Sequence, residues 1–417
     1  MFALVDANSF YCSAEQVFRP EWRGRPIVVL SNNDGCIVAA NRQAIDAGIP
    51  KFEPYFKIKA QCDRFGVIAL SSNYELYGSL SNNMMEVIGR FAPEQHIYSI
   101  DESFLSFKRC YPAIPCLIKQ GEMIRRAVWK ETRLAVSVGM GETLTLAKIA
   151  NHAAKKLADY NGVCVIDNSA QRKAILSQIK PSHVWGIGRR LSNKLDLMGI
   201  KSAYALSQMA PGLAKKQFSI EMERTVRELN GEPCKGWDQA RADKQQIFST
   251  RSMGERITDC TSLQQALSKH ADIATSKLRE QDSLCSVMIV FASNSPYDEQ
   301  PTGFKFTHRF AFPTNEIGEI TQVISRIAKQ HFRTGVRYYK VGVGLIDLSN
   351  ETNNQLDLFA SPRNPELMKV YDSLNHRYGS HSVFMAAQGI TPKWHMRREL
   401  LTPQYTTCWQ DIPKIKC

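Results

Sequence analysis

Two adjacent acids in the stretch YSIDESF, Tyr98–Phe104, constrain the fold of this 417-residue chain more than any other feature. In a regular strand, successive side chains point to opposite faces. Tyr98, Ile100, Glu102 and Phe104 would then share one face, and Ser99, Asp101 and Ser103 the other. That places Glu102 among large apolar neighbours, which is costly for an unpaired carboxylate. A hairpin turn or bulge at 101–102 removes the conflict, because both acids can then face one side of the sheet. A further acid, Asp6, ends the strand pattern FALVD at Phe2–Asp6. Three carboxylates converging at a sheet edge would hold divalent metal. Oxygen ligands suit Mg²⁺, which takes one or two protein carboxylates plus substrate phosphates. Two such ions about 4 Å apart can activate an attacking oxygen and stabilise a leaving pyrophosphate. Taken singly, each acid also reads as a solvated strand-end or turn residue.

The length favours several domains over one core. The net charge of +13 and pI near 9.2 suggest a polyanionic partner, nucleic acid before membrane. The charge is dispersed, so a folded basic surface is expected rather than a basic tail. Eleven scattered cysteines form no CxxC pair, and no His pair has HExxH spacing. That argues against a zinc site or a disulfide framework and fits a reducing cytoplasm. The start MFALVDANSFYC has no basic n-region and does not read as a signal peptide. No apolar run approaches the ~20 residues that span a bilayer.

Residues 1–165 alternate strand and helix patterns, which predicts one α/β sheet. RPIVVLSN (Arg25–Asn32) and LAVSVGMG (Leu134–Gly141) are β-rich, and TLTLAKIANHAAKKLA (Thr143–Ala158) has helical spacing. Residues 166–232 are helical and basic, and 233–243 have no clear period. From 244 to 350, four β-like runs alternate with two helical ones. The rest reads as a tail.

VDANSFYCSAE, SNYELYGSLS, YSIDESF and LAVSVGMGETLTLAKIANHAAK, in that order, resemble the palm of a Y-family, lesion-bypass DNA polymerase. SNNDGCIVAANRQA (Ser31–Ala44), VWGIGRRLSNKLDLMGI (Val184–Ile200) and WHMRRELLTPQYTT (Trp394–Thr407) extend the likeness to the UmuC branch. This is the branch of the catalytic subunit of bacterial DNA polymerase V and its plasmid-borne relatives. The resemblance implies an α+β multidomain, right-hand polymerase. Its palm is 1–10 and 71–165, its fingers 11–70, and its helical thumb 166–232, carrying a helix-hairpin-helix. A linker at 233–243, a little finger at 244–350 and a C-terminal partner-binding tail at 351–417 follow. It implies low-fidelity translesion synthesis without proofreading, in the SOS response to DNA damage.

The resemblance assigns two Mg²⁺ ions to Asp6, Asp101 and Glu102, with the Ala7 carbonyl assisting. Tyr11 takes the place of the family's steric gate, a ring under the incoming sugar that clashes with a 2′-hydroxyl. Without the motif, Tyr11 reads equally as a packing residue. The backbone N–H groups of Phe10 and Tyr11, entering a helix, suit phosphates. Lys148 stands at the position expected of a triphosphate-binding lysine. In the fingers, Arg42 fits a phosphate-facing pair, but Ile45 stands where the family often has a cation. Gly186 and Gly188, followed by Arg189 and Arg190, would bring backbone N–H groups to a DNA phosphate. The alternative there is a tight turn between helices. Arg251 would contact template phosphates, although an ordinary exposed strand cation reads the same way. Gln355, Leu356, Asp357, Leu358 and Phe359 resemble the pentapeptide that docks on the sliding clamp, with a short capping strand as the alternative. The implied partners are primer–template DNA, deoxynucleoside triphosphates, a UmuD-type dimer, RecA and the clamp, with no membrane. The expected location is cytoplasmic and nucleoid-associated. Two other readings compete: a palm-type nucleotidyl cyclase, and an inactive DNA-binding scaffold that keeps the fold.

Overall fold

Among the described residues, the first part of the chain forms eight strands. They are β1 (Phe2–Ala7), β2 (Ile27–Leu30), β3 (Ile37–Ala40), β4 (Ile68–Ser71), β5 (Glu94–Ile97), β6 (Glu102–Ser106), β7 (Val136–Gly141) and β8 (Val163–Ile166). The apolar run Phe2–Val5 makes β1 a strand covered on both faces. It sits at the centre of a five-stranded sheet ordered β5–β6–β1–β7–β8. Both neighbours of β1 run antiparallel to it, and Asp6 stands directly opposite Glu102 on β6 and Ser137 on β7.

Alternation along β1 decides what Asp6 meets. Ala3, Val5 and Ala7 pack toward the helices Tyr74–Gly89 and Leu117–Thr132. Phe2 and Leu4, and by alternation Asp6, face the helix Leu144–Lys156. That helix lies against the sheet because β7 is stripped to glycine beneath it. A Cβ at Gly139 would run into the backbone of Ala147 and Asn151. Leu146, Ile149, Ala150 and Ala153 of the same helix join a second core with the helical region that runs from Ser169 to Leu229. The helix is therefore held from both sides, and its lysines have fixed reach.

The expectation of one sheet over residues 1–165 is corrected. β2, β3 and β4 form a separate three-stranded sheet in the order β3–β2–β4, over its own small core of Val28, Leu30, Ile37, Ala40, Ala44, Ile49 and Cys62. The reason lies in Ile68–Ser71, which pairs parallel with β2 and takes the edge that β3 leaves free.

The computed structural model describes residues 1–108, 110, 114–236, 243–353, 364–379, 381–390 and 394–414. The chain divides into two units, the first being Met1–Ser31, Gly35–Ala240 and Leu400–Cys417. The last of these segments was expected to belong to a tail, yet its described part is packed. Ser71 N–H donates to the Leu400 carbonyl at 3.0 Å, and the Asn73 amide donates to the Thr402 carbonyl and hydroxyl at 3.1 and 3.0 Å. The Tyr405 ring stacks on Phe18 at 4.7 Å.

The second unit, Asn32–Asp34 with Arg241–Glu399, has a sheet of β9 (Ile247–Ile257), β10 (Ser283–Ser293), β11 (Gly303–Thr314) and β12 (Tyr338–Asn350). The order is β11–β10–β12–β9, antiparallel throughout. The helices Cys260–Arg279 and Ile317–His331 share its core. These are the four strands and two helices expected from the sequence. The helix Pro365–Tyr378 is tied in by a bidentate Arg279–Asp372 pair at 2.6 and 2.7 Å. Among the described residues, no helix is long and apolar enough to cross a membrane.

Candidate active site

The paired acids sit where β5 turns into β6. The N–H groups of Tyr98 and Ser99 both donate to the Glu102 carbonyl, at 3.0 and 3.1 Å, which closes a hairpin. The Ser99 hydroxyl donates to the Asp101 carboxylate at 2.6 Å and accepts the Glu102 N–H at 3.1 Å. Asp101 thus lies in the turn and Glu102 opens β6. Glu102 stays on the face of Phe104, as alternation requires, and the Lys148 ammonium meets its carboxylate there, so a paired cation answers the conflict posed by the sequence. The Asp101 carbonyl accepts the Ala7 N–H at 2.9 Å, so the turn is fastened to the end of β1.

Beside this turn lies a cleft of about 940 Å³. Asp6, Ala7, Phe10, Tyr11, Arg42, Ile45 and Asp101, all singled out in the sequence, line it together. So do Lys51, Arg125, Lys155 and Lys156, which sequence reasoning missed. With Arg42, these make five cations against the carboxylates Asp6, Asp46 and Asp101, so the cleft is cationic overall and suits a polyanion. The signal that could have found two of them is the doublet Lys155-Lys156 at the end of the Leu144–Lys156 helix. Cations are favoured at that helix end, and the Asn161-Gly162 turn that follows returns the chain to β8.

Two expectations need correcting. Lys148 does not line the cleft. Its ammonium donates to both Glu102 oxygens, at 2.9 and 3.2 Å, and lies 4.4 Å from the Tyr98 ring, 5.3 Å from Trp185 and 5.8 Å from Phe104. An ammonium among three aromatic faces and a carboxylate is already satisfied. Lys155 instead pairs with Asp6 at the cleft wall. The three acids also do not converge on one point. Among the described residues, no three His, Cys, Asp or Glu side chains are grouped closely enough to hold a metal ion. Each acid has its own partner, Lys155 for Asp6, Ser99 for Asp101 and Lys148 for Glu102, because adjacent carboxylates repel unless a cation stands between them. Burial pushes the Asp6 carboxyl up to about 6; Lys155 opposes this, and Glu102 and Asp101 add to it.

The impB/mucB/samB family model matches residues 5–152, and the model of its C-terminal domain matches 244–358. A domain of unknown function matches 365–415. The chain is 42% identical to protein UmuC of Salmonella typhimurium over 426 residues, covering all of both chains. It belongs to the UmuC branch of the Y-family DNA polymerases. Protein MucB of Escherichia coli is 40% identical over 99% of each chain, and DNA polymerase IV of Bacillus anthracis is 26% identical over 90% of each. A Y-family DNA polymerase chimera of Dbh and Dpo4 has the same fold, with a TM-score of 0.65 at 18% identity. The match covers 84% of this chain and all of that one. This UmuC-type polymerase is therefore a DNA-directed DNA polymerase for translesion synthesis, with the multidomain α+β right-hand fold. It binds DNA and deoxynucleoside triphosphates. Neither the cyclase nor the scaffold reading is favoured.

Gly186, Gly188, Arg189, Arg190 and Arg251 are not among the residues that line the cleft. Gly186, Gly188, Arg189 and Arg190 are exposed around the buried Ile187, with Gly186 at φ +85° and Gly188 capping the helix Arg189–Leu197. Arg251 is exposed on β9, an edge strand of its sheet. Gln355, Leu356, Asp357, Leu358 and Phe359 lie outside the described residues.

Proposed function

We propose that the cleft is the nucleotidyl-transfer site, with Asp6 and Asp101 as its acidic pole and Arg42, Lys51, Lys155 and Lys156 as its phosphate pole. The observation that carries this reading is that both poles line one cleft together with Tyr11. The donor set suits a hard divalent cation. Two carboxylates and the Ala7 position supply oxygen, and Asp6 is half-buried, with its carboxyl pushed up by burial against the opposing Lys155. Divalent-metal dependence is general to Y-family polymerases, and we take the ions to be two Mg²⁺. When bound, they supply activation of the primer 3′-oxygen and charge stabilisation at the leaving pyrophosphate. Asp6 and Asp101 would hold them, with the Ala7 carbonyl, and Glu102 would be the third carboxylate of the set. The cations orient the triphosphate, and Arg42 does so without a basic partner at Ile45. Tyr11 forms the floor under the sugar and refuses a 2′-hydroxyl by shape.

In this reading the thumb surface around Gly186–Arg190 and the exposed Arg251 hold DNA backbone without reading sequence. Synthesis is of low fidelity, without proofreading, and belongs to the SOS response. The partners are a UmuD-type dimer, RecA and, through Gln355–Phe359, the sliding clamp. The location is cytoplasmic and nucleoid-associated.

The test is primer extension on a lesion-bearing template with Mg²⁺, with and without the accessory subunits. Extension past the lesion that stops when the metal is chelated is the expected result. Extension unaffected by chelation sinks the metal reading. Absence of extension with every partner present sinks the active-site assignment.

A further inference from the structure

Tyr11 is backed by a second ring. It stacks on Tyr77, with centroids 4.7 Å apart and planes at 19°, and meets Tyr74 edge-on at 6.1 Å. Tyr77 is fully buried on the helix Tyr74–Gly89, and its hydroxyl donates to Glu15 Oε1 at 2.6 Å. Glu15 closes the helix Phe10–Glu15, whose second residue is Tyr11. Four residues apart, the two side chains share one face of that helix. This short helix therefore meets Tyr77 twice, ring on ring near its start and carboxylate on hydroxyl at its end. A helix of six residues has little stability of its own, so such tertiary contacts set its rotation.

Glu15 is 1% exposed, and its Oε2 has no hydrogen-bond partner. Burial pushes the Glu15 carboxyl up, and the Tyr77 and Thr402 hydroxyls oppose this. Asn73, which caps the helix carrying Tyr77, holds Thr402 there. None of these groups takes part in the transfer chemistry. A buried carboxylate is costly, which asks what it does in return.

We infer that Tyr77 and Glu15 are positioning residues that fix the Tyr11 ring under the sugar and so set how strictly ribonucleotides are refused. The inference rests on the reading of Tyr11 as the sugar gate. Refusal by shape works only where the ring cannot recede. Backed by Tyr77, Tyr11 recedes only if Tyr77 moves, and the Tyr77–Glu15 bond ties Tyr77 to Tyr11's own helix. Loss of the hydroxyl keeps the stack but opens that closed circuit of contacts.

The experiment measures kcat/KM for ribo- and deoxynucleoside triphosphates with the full chain on a primer–template. The variants are Tyr77→Phe, Glu15→Ala, Glu15→Gln, Tyr11→Ala and the Tyr77→Phe/Tyr11→Ala double. Tyr77→Phe and Glu15→Ala should raise the ribo-to-deoxy ratio about 3- to 10-fold, since small displacements in a binding site have effects of this size or larger. Glu15→Gln keeps an acceptor for the Tyr77 hydroxyl and should retain the parent ratio. The double variant should match Tyr11→Ala alone, because both changes act through one ring. Tyr77→Phe deletes a single oxygen and carries the test even where Glu15→Ala fails to fold. A ratio unmoved by Tyr77→Phe while Tyr11→Ala raises it overturns the inference and leaves the gate standing. Equal losses for both nucleotide classes also overturn it, because they mark general loosening. A ratio unmoved by Tyr11→Ala removes the gate reading itself, and the inference with it.

Discussion

Lys148 and Lys155 lie seven residues apart on one helix, two turns along the same face. Both pair with a carboxylate of the central sheet, yet their surroundings differ. Lys155 pairs with Asp6 at the wall of an open cleft with other cations near it. Lys148 pairs with Glu102 inside a box of Tyr98, Phe104 and Trp185. The difference teaches that a lysine's role here is set by what surrounds its ammonium, not by its place in the helical repeat. An ammonium at a cleft can exchange its carboxylate for a phosphate, while one enclosed by rings is already satisfied.

The strongest way to break the comparison is to remove an acid that faces the open end. Asp101→Asn should abolish nucleotide addition while primer–template affinity stays within about threefold, because affinity comes mainly from cations on phosphates. Single-turnover extension and a DNA-binding titration check this, and substantial extension would take Asp101 out of the chemistry. Next in size is Lys155→Ala, which should raise KM for deoxynucleotides about 10-fold or more by removing a charge-assisted contact. Lys148→Ala should raise that KM by less than about threefold and act instead on the packing of Trp185, seen as a lower melting temperature. Equal KM effects from the two lysines would dissolve the contrast.

The smallest effect is on stability. The Asp6 carboxyl is pushed by burial to about 6 in the folded protein, against roughly 4 for an ordinary aspartate. Between those values the folded state binds the proton more tightly, so Asp6 lowers stability as pH rises through about 4 to 6. The penalty is complete above about pH 6 and absent below about pH 4. Asp6→Asn should therefore raise the metal-free melting temperature by a few degrees at pH 7.5, on the order of the usual return for one relieved buried charge, and by much less at pH 4. A gain independent of pH would show that the substitution acts through packing.

Much of this was legible in the sequence. Glu102 could be singled out because strand alternation puts it on the face of Ile100 and Phe104, where an acid is conspicuous. A turn at the pair was the expected way out; the hairpin at Tyr98–Asp101 leaves Asp101 at the cleft, while Glu102 stays on the apolar face and is met by Lys148. The two-helix, four-strand unit after residue 244 could be read because its strands are long and β-branched or aromatic. The Lys148 assignment failed because Lys148 and Lys155 present the same helical phase, and only the position of Trp185, some thirty residues on, separates them. The second sheet was missed because Ile68–Ser71 is four residues long and pairs in parallel, which leaves no hairpin signature. The Tyr77–Glu15 bond joins residues 62 apart whose types are ordinary for helices, so nothing local announces it.

The chain segment around Thr402 finally bears on the order in which the molecule is made. Asn73 and Thr402 are separated by 329 residues. At about 5–20 residues per second, a ribosome takes roughly 15–65 s to travel between them. During that interval Asp101 and Lys155 join Asp6 and Tyr11 on the nascent chain, while the partner of Asn73 has yet to be synthesised. The unit begun first is thus completed last. Premature termination anywhere in the little finger leaves a product with every cleft residue in place and the far side of Glu15 open to water.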